Sequence, residues 1–422
     1  MLTFVTLLLG IVSGPHTIEV GVGEGVAFVE LRLDEELVAT IRQPPWQAVV
    51  DFGAAPAPHH LDAIARNAHG REIARARQRV NFPRPAAEAT LTLLPGTGGT
   101  GRAARLTWES MTAMPPEKVT ASFDGKPLAT SDPERIELPP FVPERLHFLR
   151  AAVDFPTDVS ATTEITFGGR TRERTEKELT AFPVRAPGGR LPAPEAMDGW
   201  FLADGEPLHV VAVEEGEPST VFVLDADGSY AFRRMREAWM LPDATGTLRG
   251  TVRTLLAYPE ARAARRTFYE IFPGAFPRSK GAALIAVLAS VRAQKDGQPC
   301  PRLADAVAVA ALAAAEHSHP RAVVLVLTGN PDVSFRPARE IRDFLSDLGV
   351  PLVVWTAGPA APDATVDWGE SRAVHTRAAF REAVNSLEAA LDEQRIVWVE
   401  GAHLPQSIFS SPKAPAGVVL VR

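Results

Sequence analysis

Two short polar loops carry residue types that chemistry can use. The apolar run Ser219-Thr-Val-Phe-Val-Leu-Asp225 ends in an acid and continues Ala-Asp-Gly-Ser229, so Asp225, Asp227 and Ser229 fall at alternate positions. Closely spaced carboxylate and hydroxyl oxygens are what a hard divalent cation requires. A carboxylate pair is also what general acid/base hydrolysis requires. A second apolar run, Ala322-Val-Val-Leu-Val-Leu-Thr328, leads into Gly-Asn-Pro-Asp332. The competing reading is that Asp225 and Asp227 hydrogen-bond their loop and cap the helix that follows.

The remaining candidates are weaker. His317-Ser-His319 follows Glu316 at the end of an apolar helix. Two imidazoles alone make an incomplete metal site, and cations at a helix C-terminus are common for dipole reasons. His59-His60 reads as a surface turn just ahead of a strand. Gly96-Thr-Gly-Gly-Thr-Gly101 matches the dinucleotide glycine spacing, but Arg105-Leu-Thr-Trp108 after it reads as a strand where that motif needs a helix. A hairpin is the simpler reading. Cys300 is the single cysteine, which excludes an intramolecular disulfide and thiolate zinc clusters. No base is indicated beside it. The sequence supplies no catalytic constellation, and the chain is read as a non-enzyme.

The elements that position the two loops follow from periodicity. Ser219–Leu224, Ala322–Leu327 and Pro351–Ala357 are continuous apolar runs, the signature of strands buried on both faces. Between them, Leu284, Val287, Leu288 and Val291 keep helical spacing, as do Ile341, Phe344, Leu345 and Leu348, stopped by Gly349. Phe380, Val384, Leu387 and Leu391 make another such stripe. Leu303–Ala315 is apolar almost all round and needs cover on every side. Leu248, Val252, Leu255 and Leu256 also keep helical spacing, and Arg266–Phe272 is a strand candidate. Strands alternating with helices predict a parallel sheet, whose ligands bind beyond the carboxyl ends of the strands.

Upstream, short alternating runs and polar turns predict β-sandwiches. Residues 15–84 form one, with turns at Asp34-Glu-Glu36 and Asn67-Ala-His-Gly70, and Trp46 filling its core. Residues 85–184 form a second, with a hairpin signal at Asp124-Gly125. Residues 185–207, rich in Pro, Gly and Ala, read as a linker.

At the two polar loops the chain resembles a von Willebrand factor A (vWA) domain. That family's first strand ends in Asp-x-Ser-x-Ser and a later strand in Thr-Asp-Gly, which together hold a metal at an adhesion site. Here the corresponding segments are Asp225-Ala-Asp-Gly-Ser229 and Thr328-Gly-Asn-Pro-Asp332. Leu33-Asp34, Val38-Ala39-Thr40, Pro44-Pro45-Trp46, Val50-Asp51-Phe-Gly53, His60-Leu61 and Ala65–Gly70 are similar to an Ig-like module that accompanies vWA-related secreted proteins of acidobacterial type. The resemblance implies two all-β Ig-like sandwiches followed by a doubly wound, Rossmann-type α/β domain over 208–422. It also implies a metal held by Asp225, Asp227 and Ser229. The departures imply a degenerate site. The position of the family's Thr-Asp-Gly aspartate falls on Gly329, and the family's other threonine loop falls near Lys280–Ala283, where no threonine stands. No cofactor is expected beyond weak Mg2+.

The chain has 422 residues and a net charge of −7, which argues against nucleic acid as the main partner. Residues 1–14 are an apolar run of signal-peptide length, too short for a membrane helix, and no transmembrane segment follows. The combined expectation is an exported, non-enzymatic chain that recognises a protein partner. Its alternatives are metal-dependent vWA adhesion and a hydrolase using Asp225 and Asp227.

Overall fold

Alternation of apolar and polar residues builds most of this molecule. A computed structural model describes all residues except 1, 7, 9, 24, 84–86, 95–102, 111–114, 125, 131, 134, 142–145, 156–158, 169–178, 239–247, 258–283, 292–300, 317–318 and 359–366. The glycine string 96–101, the Arg266–Phe272 candidate, Lys280–Ala283, Cys300 and His317 lie outside the described residues. Contacts divide the chain into two compact units, one of Met1–Pro83 with Glu178–Arg422 and one of Arg84–Lys177.

The first unit begins with a sandwich. One sheet orders Leu2–Phe4, Pro15–Val22 and Gln47–Asp51; the other orders Glu36–Ile41, Phe28–Leu33, His59–Arg66 and Glu72–Val80. Ile18, Val20 and Val50 meet Val29, Leu31, Leu61 and Ala63 between them, and Trp46 packs at the margin. The second unit repeats the plan. Lys126–Leu128, Lys118–Phe123, Leu146–Phe155 and Val159–Gly168 form one sheet; Ile136–Glu137, Ala103–Ser110 and Ala87–Leu94 form the other.

The repetition extends to side chains. Leu33 faces Leu61 across the first sandwich's sheet, and Phe123 faces Leu149 across the second's. The next residue in each case is an aspartate at positive φ, Asp34 (50°) and Asp124 (47°). Each aspartate pairs with the histidine two residues before the facing leucine: His59 Nδ1 lies 2.6 Å from Asp34 and His147 Nδ1 lies 2.8 Å from Asp124. The same clamp thus closes the same hairpin twice.

Residues 178–422 hold one parallel sheet, ordered Thr251–Leu256, Ser219–Leu224, Arg321–Leu327, Leu352–Thr356 and Ser371–Ala373. Helices α1 (Ala226–Ala238), α2 (Leu284–Ser290), α3 (Leu303–Ala314), α4 (Ala338–Asp347) and α5 (Arg377–Asp392) accompany it. α3 and α4 cover one face; α1, α2 and α5 cover the other. Ten of the twelve α3 residues are buried, as a helix apolar on almost every side demands.

The expected architecture of two sandwiches and one vWA-like α/β domain is overturned. Among the described residues the chain is mostly β, with twenty-six strands against five α-helices, and only one of its seven sheets is parallel. Two further antiparallel sheets lie within 178–422. One orders Val210–Glu214, Gln394–Glu400, Leu179–Arg185 and Val419–Leu420; the other orders Glu206–Pro207, Phe201–Ala203 and Ile408–Ser410. Residues 185–207 are accordingly no linker, since Ala186, Met197 and Phe201 are fully buried there. Thr251–Leu256 is a strand at the sheet edge rather than a helix, because its β-branched residues suit a pleated surface better than a helix.

The described residues among 2–14 are woven into the first sandwich rather than standing apart from it. Thr3 pairs with Gly21, and Leu8 and Val12 are buried in the core. Gln78 Oε1 accepts from the Leu8 N–H at 2.9 Å, and Asn81 Oδ1 accepts from the Val12 N–H at 2.7 Å. Ile11 packs against the parallel sheet's core, and its carbonyl accepts from Arg336 at 3.1 Å. The segment is a strap joining sandwich to α/β layer. Deleting residues 2–13 is expected to lower the melting temperature, because each buried amide left without a partner costs about 1–3 kcal/mol. An unchanged transition by scanning calorimetry would show the strap to be dispensable.

Half-buried Asp347 ends α4. Burial raises its carboxyl above the ordinary range, Asp343 adds to this, and Arg422 and His59 oppose it. A raised folded-state value means stability is highest in acid and is lost as pH rises through that value. Asp347→Asn is therefore expected to melt above the native chain at pH 7 and to match it near pH 3, as thermal melts at both pH values would show.

Candidate functional site at the carboxyl edge of the parallel sheet

The strand order puts Ser219–Leu224 beside Arg321–Leu327, and their carboxyl ends open into the two polar loops. Asp225 is the residue before α1. Its Oδ1 accepts the Gly228 N–H at 2.7 Å, a helix N-cap reaching the third residue of the first turn. Its Oδ2 accepts the Thr328 hydroxyl and the Asn330 side-chain amide, the latter at 2.8 Å. Asp225 is only 1% exposed, and both oxygens are committed to protein donors. Such commitments are what make a buried carboxylate tolerable.

Asp227, exposed in the first turn of α1, accepts the same Asn330 amide nitrogen at 2.9 Å. Ser229 faces elsewhere. Its hydroxyl donates to the Val291 carbonyl at 2.5 Å. Of the three residues expected to share a cation, Asp225 and Asp227 come together and Ser229 does not join them. The donor set does not fit a bound divalent ion as it stands, since an N–H donor lies between the two carboxylates and has no lone pair for a metal. No group of three or more His, Cys, Asp or Glu side chains placed to hold a metal occurs among the described residues.

Thr328 and Asn330 are the residues that sequence reasoning missed. The vWA comparison directed attention to Gly329, the position where the family carries its aspartate. The strand's end turns so that the residues on either side of Gly329 reach Asp225. The available signal was the pair of hydrogen-bonding side chains flanking that glycine.

The loop then braces α3. Asp332 accepts the Leu303 N–H at 2.8 Å and the Ala304 N–H at 3.0 Å, so α3 takes its N-terminal cap from a distant segment. Ser334 Oγ accepts the Asp305 N–H at 3.1 Å. Arg302, whose N–H is held by the Ala257 carbonyl at 2.8 Å, pairs with Asp305 at 2.6 Å. Its guanidinium also lies 3.9 Å above the Phe335 ring. Phe335 is nevertheless 74% exposed and Val333 is 49% exposed. Chemically, this edge is a rigid hydrogen-bonded floor with an apolar projection on it.

No protein-family model matches this chain, and no curated protein matches it. Among solved structures, it is similar to the fibronectin(III)-like modules of Clostridium thermocellum CbhA, at 14% identity and TM-score 0.17 over 19% of this chain and 93% of that one. It is also similar to the central fibronectin-III array of RIM-binding protein, at 11% identity and TM-score 0.23 over 48% of this chain and 81% of that one. A third likeness is to a β-glucuronidase of glycoside hydrolase family 2, at 14% identity and TM-score 0.21 over 41% of this chain and 20% of that one. At TM-scores this low, neither function nor residue roles transfer. The Ig- and fibronectin-like sandwich style itself is plain in both units.

Asp225→Ala is expected to destabilise by about 2–4 kcal/mol, above the ~0.5–2 kcal/mol of an isolated cap, because three donors lose one acceptor. Urea unfolding would measure it; a loss confined to the lower range would mean that Thr328 and Asn330 find other partners.

Proposed function

We propose that this chain is a non-enzymatic binding protein that recognises another protein through the carboxyl edge of its parallel sheet. One observation carries the reading. Asp225, Asp227, Thr328 and Asn330 are hydrogen-bonded to one another, while Phe335 on the same loop stands 74% exposed, with Val333 49% exposed and the Phe335 ring stacked on Arg302. Exposed aromatic residues on a braced loop make low-entropy anchors, and interface hot spots favour aromatic and arginine side chains. The net charge of −7 speaks against nucleic acid. No helix among the described residues is long and apolar enough to cross a membrane.

Export belongs to the same reading. Its support is the β-sandwich style of both units; the apolar N-terminal run, packed into the first sandwich, does not contribute to it. The partner is therefore to be sought in the envelope.

The metal-dependent alternative would place the cation on Asp225, Asp227 and Ser229, and the hydrolase alternative would use Asp225 and Asp227. Affinity capture from the native envelope, with and without EDTA, separates these readings. The expected result is a protein retained by the native chain in EDTA and lost with Phe335→Asp, which replaces the exposed ring with a charged group. Capture abolished by EDTA would favour adhesion through a metal. Capture indifferent to Phe335→Asp would move the binding surface elsewhere.

A further inference from the structure

We infer that the side-chain amide of Asn330 takes the place of a divalent cation at the sheet's carboxyl edge, holding the Asp225 and Asp227 carboxylates together and locking the loop without metal. Two carboxylates brought to one point repel, and they need either a cation or a shared donor between them. Here the shared donor is on the page. Asn330 Nδ2 lies 2.8 Å from Asp225 Oδ2 and 2.9 Å from Asp227 Oδ2.

An amide nitrogen carries two hydrogens, one for each acceptor, and these two acceptors fix which end of the amide faces them. The Thr328 hydroxyl donates to the same Asp225 oxygen, and its own oxygen accepts the Asn330 backbone N–H at 3.4 Å. The bridge therefore ties the first turn of α1 to the loop that follows the central strand. Oxygen ligands are what magnesium and calcium require, and the bridging atom is a nitrogen that only donates.

Asparagine differs from aspartate here by one group, NH2 for O. Asn330→Asp would put a third carboxylate where the bridging donor now sits. The inference concerns the inner architecture of the loop and does not depend on what binds outside it, so failure to capture a partner leaves it standing.

Thermal denaturation of the full chain, in EDTA and in millimolar MgCl2 or MnCl2, tests it. The native chain is expected to melt at the same temperature in all three. Asn330→Asp is expected to melt lower in EDTA, to recover by several degrees on addition of either salt, and to bind Mn2+ in titration calorimetry where the native chain shows no heat. A native chain stabilised by either metal would overturn the inference, and so would an Asn330→Asp chain indifferent to both.

Should Asn330→Asp not fold in EDTA, Asn330→Ala made in the native and Asp227→Ala backgrounds decides the matter. A bridging amide predicts a larger fall in melting temperature when Asp227 is present, because its carboxylate is then left facing Asp225 without a shared donor. Equal falls in both backgrounds would show that no bridge exists.

Discussion

The guanidinium of Arg321 is buried where three elements meet. Its Nε and one terminal nitrogen donate to the carbonyls of Gly349 and Leu348, at 3.1 and 3.2 Å, at the C-terminus of α4. Its own N–H and carbonyl exchange hydrogen bonds with the Gln394 side chain, at 2.9 and 3.1 Å. Burial pushes its pKa down to about 10, so the charge survives at neutral pH but is held at a cost. Carbonyls at a helix C-terminus are partial negative charges, and they offset part of that cost. The central parallel strand, α4 and the antiparallel sheet are thereby fixed to one point. Thr328, at the other end of the same strand, inherits its position from that anchor.

Much of this was legible in the sequence. Strands buried on both faces announce themselves as unbroken apolar runs, and Ser219–Leu224 and Arg321–Leu327 are fully buried as that pattern requires. The stripes of α4 and α5 and the almost wholly apolar α3 also read directly. The antiparallel sheets did not. Leu179–Arg185 contains a proline, and its partner Gln394–Glu400 follows α5 directly, so neither has the turn signals that frame a hairpin. Local pattern cannot show that such strands pair across more than two hundred residues. Thr251–Leu256 misled for a different reason: apolar residues at i, i+3 and i+4 satisfy a helical template even in an edge strand.

The candidate site was legible in place but not in chemistry. Asp225 and Asp227 were found because acids after a buried strand are conspicuous. Asn330 was not, because an asparagine beside a glycine reads as turn chemistry until its distance to both carboxylates is seen. The twin Asp–His clamps were likewise in view. Asp34 precedes Ala39-Thr40 as Asp124 precedes Ala129-Thr130, yet the match becomes meaningful only when the facing strands supply His59 and His147.

Pairing Leu179–Arg185 with Gln394–Glu400 and Val419–Leu420 has a bearing on how the chain is born. On the ribosome, Arg84–Lys177 emerges complete and holds all its own strands, so it is free to fold while synthesis continues. The other unit cannot close its last sheet until Val419–Leu420 have left the exit tunnel. Through most of translation the strand at 179–185 is an unpaired edge carrying Phe182 and Val184. Distant pairing of this kind slows folding and prolongs the exposure of such edges. The chain's demand for chaperone protection should therefore fall on this late-closing unit rather than on the sandwich inserted within it.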